Sequence, residues 1–288
     1  MDKKFTLKAP AKINLGLTVI SRRADGFHDL ESVMQQVSLA DTLLFEPALE
    51  KGWHFFCTEE SISGLDNLVV RAASMLEERA DRPLPGVKIT LYKNIPVEAG
   101  LAGGSTDCAA TLVGLNHFWN LGFERDTLQE MSLLLGSDIP FCLQGGTALA
   151  RGRGEKLEKL PSLPFFWAIL ILPAGLRMPT ATVYRNLNQS RLGEPLLSDL
   201  IEAIRAGERG RILDWLSCEL TNTLETAVVP GSGFLQEIKS KLQARGLKPV
   251  LSGSGPALFM LAENYERACK MARMAEEENC RAYLCWTL

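Results

Sequence analysis

The stretch Pro96-Val97-Glu98-Ala99-Gly100-Leu101-Ala102-Gly103-Gly104-Ser105-Thr106-Asp107 decides how this chain is read. Gly100, Gly103 and Gly104 let the backbone approach an anion closely and take φ > 0 at low steric cost. The residues that follow, Asp107 to Trp119, space Leu112, Leu115, Phe118 and Trp119 as a helix would. Ser105, Thr106 or Asp107 is placed to cap its start. A glycine turn running into a helix offers unpaired N–H groups and roughly half a positive charge, which suits a phosphate. The plainer alternative is a glycine-rich connector with an ordinary cap. The stretch lacks both the G-x-x-x-x-G-K-S/T and the G-x-G-x-x-G spacing. The preceding run Val87-Lys88-Ile89-Thr90-Leu91-Tyr92 alternates apolar and polar residues. That predicts a half-buried strand of an antiparallel or mixed sheet, not the apolar strand of a dinucleotide fold.

Working outward, 288 residues suit one large or two medium domains with a substantial core. The net charge of −3 gives no bulk attraction to nucleic acid or to an anionic membrane, so neither is expected as a partner. No apolar run is long enough to span a bilayer, and Met1 to Lys8 lacks the apolar core of a signal peptide. A cytoplasmic protein is expected. Cysteines stand at 57, 108, 142, 218, 269, 280 and 285, an odd number with no C-x-x-C pair. That pattern argues against a disulfide framework and against a zinc site. Cys108 is expected in the first turn of the helix after the loop, where a thiol pKa can fall, although ordinary packing as a buried thiol is the plainer reading.

Strands are predicted over Lys3 to Leu17 with a break at Pro10, and over Leu30 to Phe45. A helix is predicted over Asn67 to Arg79, with Asp66 as its cap, and another over Asp126 to Leu135, stopped by Gly136. Gln144 to Arg153 reads as strand and turn, and Pro161-Ser162-Leu163-Pro164 as a linker between halves. Beyond it come a strand at Trp167 to Leu172, helices at Leu196 to Ala206, Arg211 to Glu219 and Phe234 to Arg245, and two strands about Ser252-Gly253-Ser254-Gly255. A helix at Tyr265 to Glu278 and a strand at Arg281 to Trp286 complete the pattern. Strands and helices mix without regular βαβ alternation, so the class is α+β. Domains are expected at 1–160 and 161–288.

Other segments carry polar groups in patterned settings. In Ala9-Pro10-Ala11-Lys12-Ile13-Asn14-Leu15-Gly16-Leu17, Lys12 and Asn14 fall on one face of a strand. Gly136-Ser137-Asp138-Ile139-Pro140-Phe141 sets an Asp before a proline turn. Read singly, each is compatible with an ordinary exposed strand face or turn. Read together with the glycine loop and Leu251-Ser252-Gly253-Ser254-Gly255-Pro256-Ala257, the chain resembles the GHMP kinases. Arg22-Arg23-Ala24-Asp25-Gly26-Phe27-His28, Asp66-Asn67-Leu68-Val69 and Gly145-Gly146-Thr147-Ala148 through Gly152-Arg153-Gly154-Glu155 are similar to the branch acting on a cytidine-diphosphate-linked methylerythritol. The likeness covers most of residues 5 to 260.

The resemblance implies a two-domain fold. It has an N-terminal mixed α/β nucleotide-binding domain, a C-terminal ferredoxin-like α+β domain and the active site in a cleft between them. It implies ATP-dependent phosphorylation of an alcohol on a small molecule, with Mg²⁺ as cofactor. By resemblance, Asp138 takes the hydroxyl proton, and Lys12 lies near it and steadies the developing negative oxygen. Asn67, Lys93, Pro96, Gly100, Leu101, Ala102, Gly103, Gly104, Ser105 and Thr106 are implied at the ATP, with Ser105 also near the metal. Asn67 is equally suited to be simply the first residue of its helix. Asn14, Phe27, His28, Asp138 and Tyr184 are implied at the substrate, where Phe27 and Tyr184 stack on cytosine and His28 reads it. The chain departs from the usual G-L-G-G-G-S-S loop at Ala102, which is strained by roughly 1 kcal/mol or more if that position needs φ > 0. Glu98 beside an anion-binding loop is expected to point to solvent.

Overall fold

The Val87–Tyr92 run does form a strand, and its alternation has the expected cause. Val87, Ile89 and Leu91 point into a core while Lys88 and Tyr92 face out. The computed structural model describes residues 4–288 except 189, 191, 194, 195, 218–220, 228 and 230. Cys218, Glu219 and the first three residues therefore lie outside the described residues. The chain divides into two units, the first comprising Met1–Ala11, Ala40–Val97 and Ala102–Gln144, the second Lys12–Leu39, Glu98–Leu101 and Gly145–Leu288. The Pro161–Pro164 segment thus lies inside the second unit. Strands β1 (Phe5–Arg22) and β2 (His28–Pro47) contribute residues to both. Pro10 does not break β1. That strand pairs with β2, off the main path of the sheet, an edge setting in which a missing N–H is tolerated.

In the first unit, β3 (Trp53–Cys57) runs parallel to β4 (Val87–Tyr92), and β4 runs antiparallel to the Thr42–Pro47 part of β2. This is the mixed pairing expected from β4. Helix α1 (Leu68–Arg79) is capped by Asn67, not Asp66: the Asn67 side chain accepts from Val69 N at 2.8 Å. Such a cap is worth about 1 kcal/mol.

Helix α2 (Gly103–Trp119) starts four residues earlier than expected, and no side chain caps it. Ala102 holds the cap position in the left-handed region, φ +56° and ψ 30°. Thr106, Asp107 and Cys108 therefore sit inside the helix, and all three are buried. Burial pushes the Cys108 thiol up to about 12, so it is a packed thiol, the plainer of the two readings. Helices α3 (Arg125–Leu135) and α4 (Ile139–Gln144) follow, and α4 packs on α2 and α3. The core gathers Leu43, Phe45, Leu76, Ile89, Leu91, Leu112 and Leu115. Gly114 is required within it, because a Cβ there would stand 2.3 Å from the Phe45 ring.

The second unit pairs the Leu30–Gln35 part of β2 antiparallel with β5 (Thr147–Gly152), and β5 antiparallel with β6 (Lys156–Lys159). It also carries β7 (Trp167–Pro173), short helices α5 (Thr180–Arg185), α6 (Ser198–Ala206) and α7 (Arg209–Leu216), and helix α8 (Ser232–Ala244). β8 (Val250–Leu251), β9 (Leu258–Ala262), helix α9 (Tyr265–Glu276) and β10 (Cys280–Trp286) complete it. Its four-stranded sheet has the order β10-β7-β9-β8 with every neighbour antiparallel. In chain order that is strands 4-1-3-2 with α8 and α9 as the connecting helices, the ferredoxin-like arrangement expected of the C-terminal half. Ile169, Ile171, Leu258 and Met260 pack with Ile238 and Leu242 of α8 and with Ala268 and Met271 of α9. Among the described residues, no helix is long and apolar enough to cross a membrane.

Candidate active site

Within the first unit, the α2 N-terminus, its glycines and Asn67 come together. A Cβ on Gly103 would stand 3.1 Å from both Ile95 Cγ2 and Lys93 Nζ, and one on Gly104 would stand 3.7 Å from Leu68. Gly104 is exposed, Ser105 and Pro96 are half-buried, and Thr106 is buried with its N–H donating to Ala102 O at 2.9 Å. The helix start thus presents backbone N–H groups flanked by the Ser105 side chain, the chemistry an anion needs. Asn67 is committed at both ends, accepting from Val69 N and donating from Nδ2 to Ile62 O at 2.6 Å.

Lys93 sits behind this helix start, between two buried carboxylates. Its ammonium donates to Asp41 Oδ2 and to Asp107 Oδ2, the latter at 2.8 Å. The three side chains are 7%, 0% and 2% exposed. Asp41 Oδ1 also accepts from Ile95 N at 2.8 Å, whereas Asp107 Oδ1 is buried with no hydrogen-bond partner. Burial, with the Asp41 charge adding to it against the pull of Lys93, raises the Asp107 carboxyl to about 8. Asp138 lies just ahead of α4, half-buried, with its carbonyl accepting from Cys142 N at 3.1 Å.

Within the second unit, three of the patterned segments meet. Lys12 and Asn14 share a face of β1 and are 4% and 1% exposed. The Lys12 ammonium donates to Asn14 Oδ1 at 2.6 Å and to Gly100 O at 3.4 Å. Asn14 Nδ2 donates to Ser32 Oγ at 2.8 Å, and that hydroxyl donates to Gly16 O at 2.7 Å. Lys12 N donates to Leu101 O at 3.1 Å. The Glu98–Leu101 segment is gripped from the other side by the Ser252–Gly255 turn: Ser252 Oγ donates to Gly100 O at 3.1 Å and Ala257 N to Ala99 O at 3.1 Å. Gly100, at φ +76°, is required there, since a Cβ would stand 2.3 Å from Ser252 O. Glu98 is turned outward, half exposed, with Oε2 3.9 Å from Arg177 Nη1.

A second cluster of this unit is aromatic. The Arg23–Phe27 turn is held by Arg23 N donating to Phe27 O at 2.8 Å and Phe27 N donating to Asp25 Oδ1 at 3.1 Å. It leaves the Phe27 ring 50% exposed and His28 only 8% exposed. The His28 ring centroid lies 5.4 Å from that of Tyr184, tilted by 36°. His28 Nε2 is buried with no hydrogen-bond partner. Burial, and then the Arg22 charge, hold the imidazole below its usual pKa, so it is neutral at pH 7. The guanidinium of Arg153 lies 3.9 Å from the Phe27 ring centroid. Sequence reasoning missed Arg153, Ser32 and the Asp41–Lys93–Asp107 cluster. An acidic residue placed to meet Lys93 was the one signal available.

Among known proteins, residues 67–146 match the family model of the GHMP kinases N terminal domain. The chain is 41% identical over 272 residues to a 4-diphosphocytidyl-2-C-methyl-D-erythritol kinase of Listeria monocytogenes serotype 4b, covering 92% of this chain and 89% of that relative. It is 42% identical over 279 residues to the kinase of the same description from Moorella thermoacetica, covering 95% of each. A crystal structure of 4-(cytidine 5'-diphospho)-2C-methyl-D-erythritol kinase superposes with a TM-score of 0.82 at 37% identity, over 98% of this chain and 99% of that one.

Proposed function

Since this chain belongs to the 4-diphosphocytidyl-2-C-methyl-D-erythritol kinases, a branch of the GHMP kinases, we propose that it phosphorylates the 2-hydroxyl of 4-diphosphocytidyl-2-C-methyl-D-erythritol at the expense of ATP. The products are the 2-phosphate and ADP, a step of the non-mevalonate route to isoprenoids. An ATP-dependent kinase with free thiols at the described cysteines suits a cytoplasmic setting.

The observation that carries the substrate reading is the buried, unpartnered His28 Nε2 beside Tyr184 and the exposed Phe27 ring. A neutral imidazole has one donor and one acceptor nitrogen. The unpartnered Nε2 can donate to the cytosine ring nitrogen in one tautomer or accept from the exocyclic amine in the other. Stacking on an aromatic ring adds roughly 1–3 kcal/mol per base.

Phosphoryl transfer asks for positioning and charge stabilisation more than for covalent chemistry. In this reading the amides of Gly103, Gly104 and Ser105 hold ATP phosphates. The Asp138 carboxylate accepts the hydroxyl proton as the oxygen bonds to the γ-phosphorus, and the bond to the ADP oxygen breaks. Lys12, fixed by Asn14 and Gly100 O, places its ammonium toward the negative oxygens of the transferring group. Mg²⁺ fits the donor set. Mg²⁺ bound through nucleotide phosphates needs only one or two protein oxygens, and Ser105 is half-buried at the helix start beside the anion-binding amides. Ser105 Oγ supplies one. Bound there, the ion would neutralise charge on the phosphate oxygens.

The test is ADP release from Mg-ATP with 4-diphosphocytidyl-2-C-methyl-D-erythritol, mevalonate or homoserine supplied separately. Turnover with the cytidine-linked alcohol alone is expected. Turnover with mevalonate or homoserine and none with that alcohol overturns the substrate.

A further inference from the structure

We infer that Asn222 is a positioning residue for the phosphoryl-transfer site, acting through the Ser252–Gly255 turn on Gly100 and Lys12. Asn222 is 1% exposed, and every polar atom of its side chain is used. Nδ2 donates one hydrogen to Leu251 O at 3.0 Å and the other to Gly253 O at 2.8 Å, while Oδ1 accepts from Leu224 N at 2.9 Å. Only this orientation of the amide satisfies one donor and two carbonyls at once.

The segment that carries Asn222 is itself fastened to β1, a few residues beyond Lys12. Leu17 N donates to Thr221 O at 2.9 Å, and Val19 N donates to Thr223 Oγ1 at 3.3 Å. Asn222 therefore ties the strand that carries Lys12 to the turn that faces it. That turn has little freedom. Gly253 adopts φ +55°, and a Cβ there would stand 3.1 Å from Gly100 O, 3.2 Å from Lys12 Nζ and 3.3 Å from Asn14 Oδ1. The Leu251 N–H on the same stretch is held by Glu225 Oε1 at 3.3 Å, and Glu225 in turn pairs with Lys239 at 2.5 Å. Releasing Gly253 O lets the turn relax away from Gly100 and Lys12. Displacement of a reacting group by about 1 Å can cost on the order of 100-fold in rate.

This inference rests on the proposed kinase reading, and its test is built to fail separately. Asn222→Asp keeps the shape but removes both donors. Asn222→Ser keeps an oxygen that can cap Leu224 N and replaces the two amide donors by a single hydroxyl on a shorter side chain, which cannot hold both Leu251 O and Gly253 O. Two readouts are compared with the wild type: kcat and KM for each substrate, corrected for the folded fraction by circular dichroism, and the amide resonances of ¹⁵N-glycine-labelled protein. For either folded variant, kcat falls about 100-fold with KM values little changed. The Gly100, Gly253 and Gly255 resonances shift, whereas Gly114 and Gly122 stay in place. A folded variant with wild-type kcat and unmoved Gly100 and Gly253 resonances overturns the role of Asn222, as does a kcat loss explained by the folded fraction alone. If the wild type does not turn over the cytidine-linked alcohol, the substrate reading falls, and the glycine resonances still decide whether Asn222 sets this geometry.

Discussion

Lys12 and Lys93 are two buried lysines, and different oxygens hold each of them. The Lys12 ammonium is fixed by neutral oxygens, the Asn14 amide and the Gly100 carbonyl. Lys93 is fixed by the carboxylates of Asp41 and Asp107. Both were expected at the site by resemblance, and the surroundings separate their roles. A lysine between two buried carboxylates is spent on holding β4, β2 and α2 in register behind the anion loop. The Asn14 and Gly100 oxygens orient the Lys12 ammonium, which suits a charge meant for a transferring phosphoryl group.

The largest expected effect tests the first half of that contrast. Lys93→Met removes the ammonium that both buried acids, Asp41 and Asp107, accept from, so it should lower unfolding free energy by about 3–5 kcal/mol, read by urea or thermal denaturation. A Lys93→Met protein as stable as the wild type but inactive would reverse the assignment. Next comes Lys12→Met, expected to lower kcat by about 10²–10³ while a nucleotide titration shows ATP still bound. Full activity in that variant would leave Lys12 with no part in transfer.

A smaller effect sharpens the description of the Lys93 cluster. Asp107 binds its proton near pH 8 in the folded protein, against a reference value of 3.8. The folded state thus holds a proton that the unfolded chain has lost between those values, so this group makes stability fall as pH rises from about 4 to about 8. Asp107→Asn should flatten that part of the pH–stability curve, with the gain over wild type greatest above pH 8. An unchanged slope would show that Asp107 titrates as an ordinary carboxylate. The smallest effect concerns the glycine loop itself. Ala102→Gly should raise stability by about 1 kcal/mol by relieving the left-handed strain.

Much of this was legible from the sequence because it is local. The alternation of β4, the helix after the glycines and the two strands about Ser252–Gly255 each follow from neighbouring residues. The errors are local as well, and each has a physical reason. Gly103 and Gly104 are poor helix formers, which hid the true start of α2, and a left-handed Ala102 stands where a Ser or Thr cap was sought. Asn67 caps α1 in place of Asp66 because the helix begins at Leu68, one residue later than expected, which puts Asn67 at the cap position. Pro10 is tolerated in β1 by pairing that the sequence does not display. What pattern reading could not reach depends on residues far apart in the chain: Arg153 over Phe27, Asp41 against Lys93, and Asn222 on Gly253.

The absent side chain at Gly114 works as a keyway. Helix α2 is buried on most sides, and its apolar side chains interdigitate with their neighbours. The Phe45 ring fills the Gly114 notch and so registers α2 against β2 at that point. Gly114 lies about 16 Å along the axis from Gly103 at 1.5 Å per residue. The reach of the anion-binding amides is therefore gauged from the far half of the helix, and a change there would miscalibrate a loop it never touches.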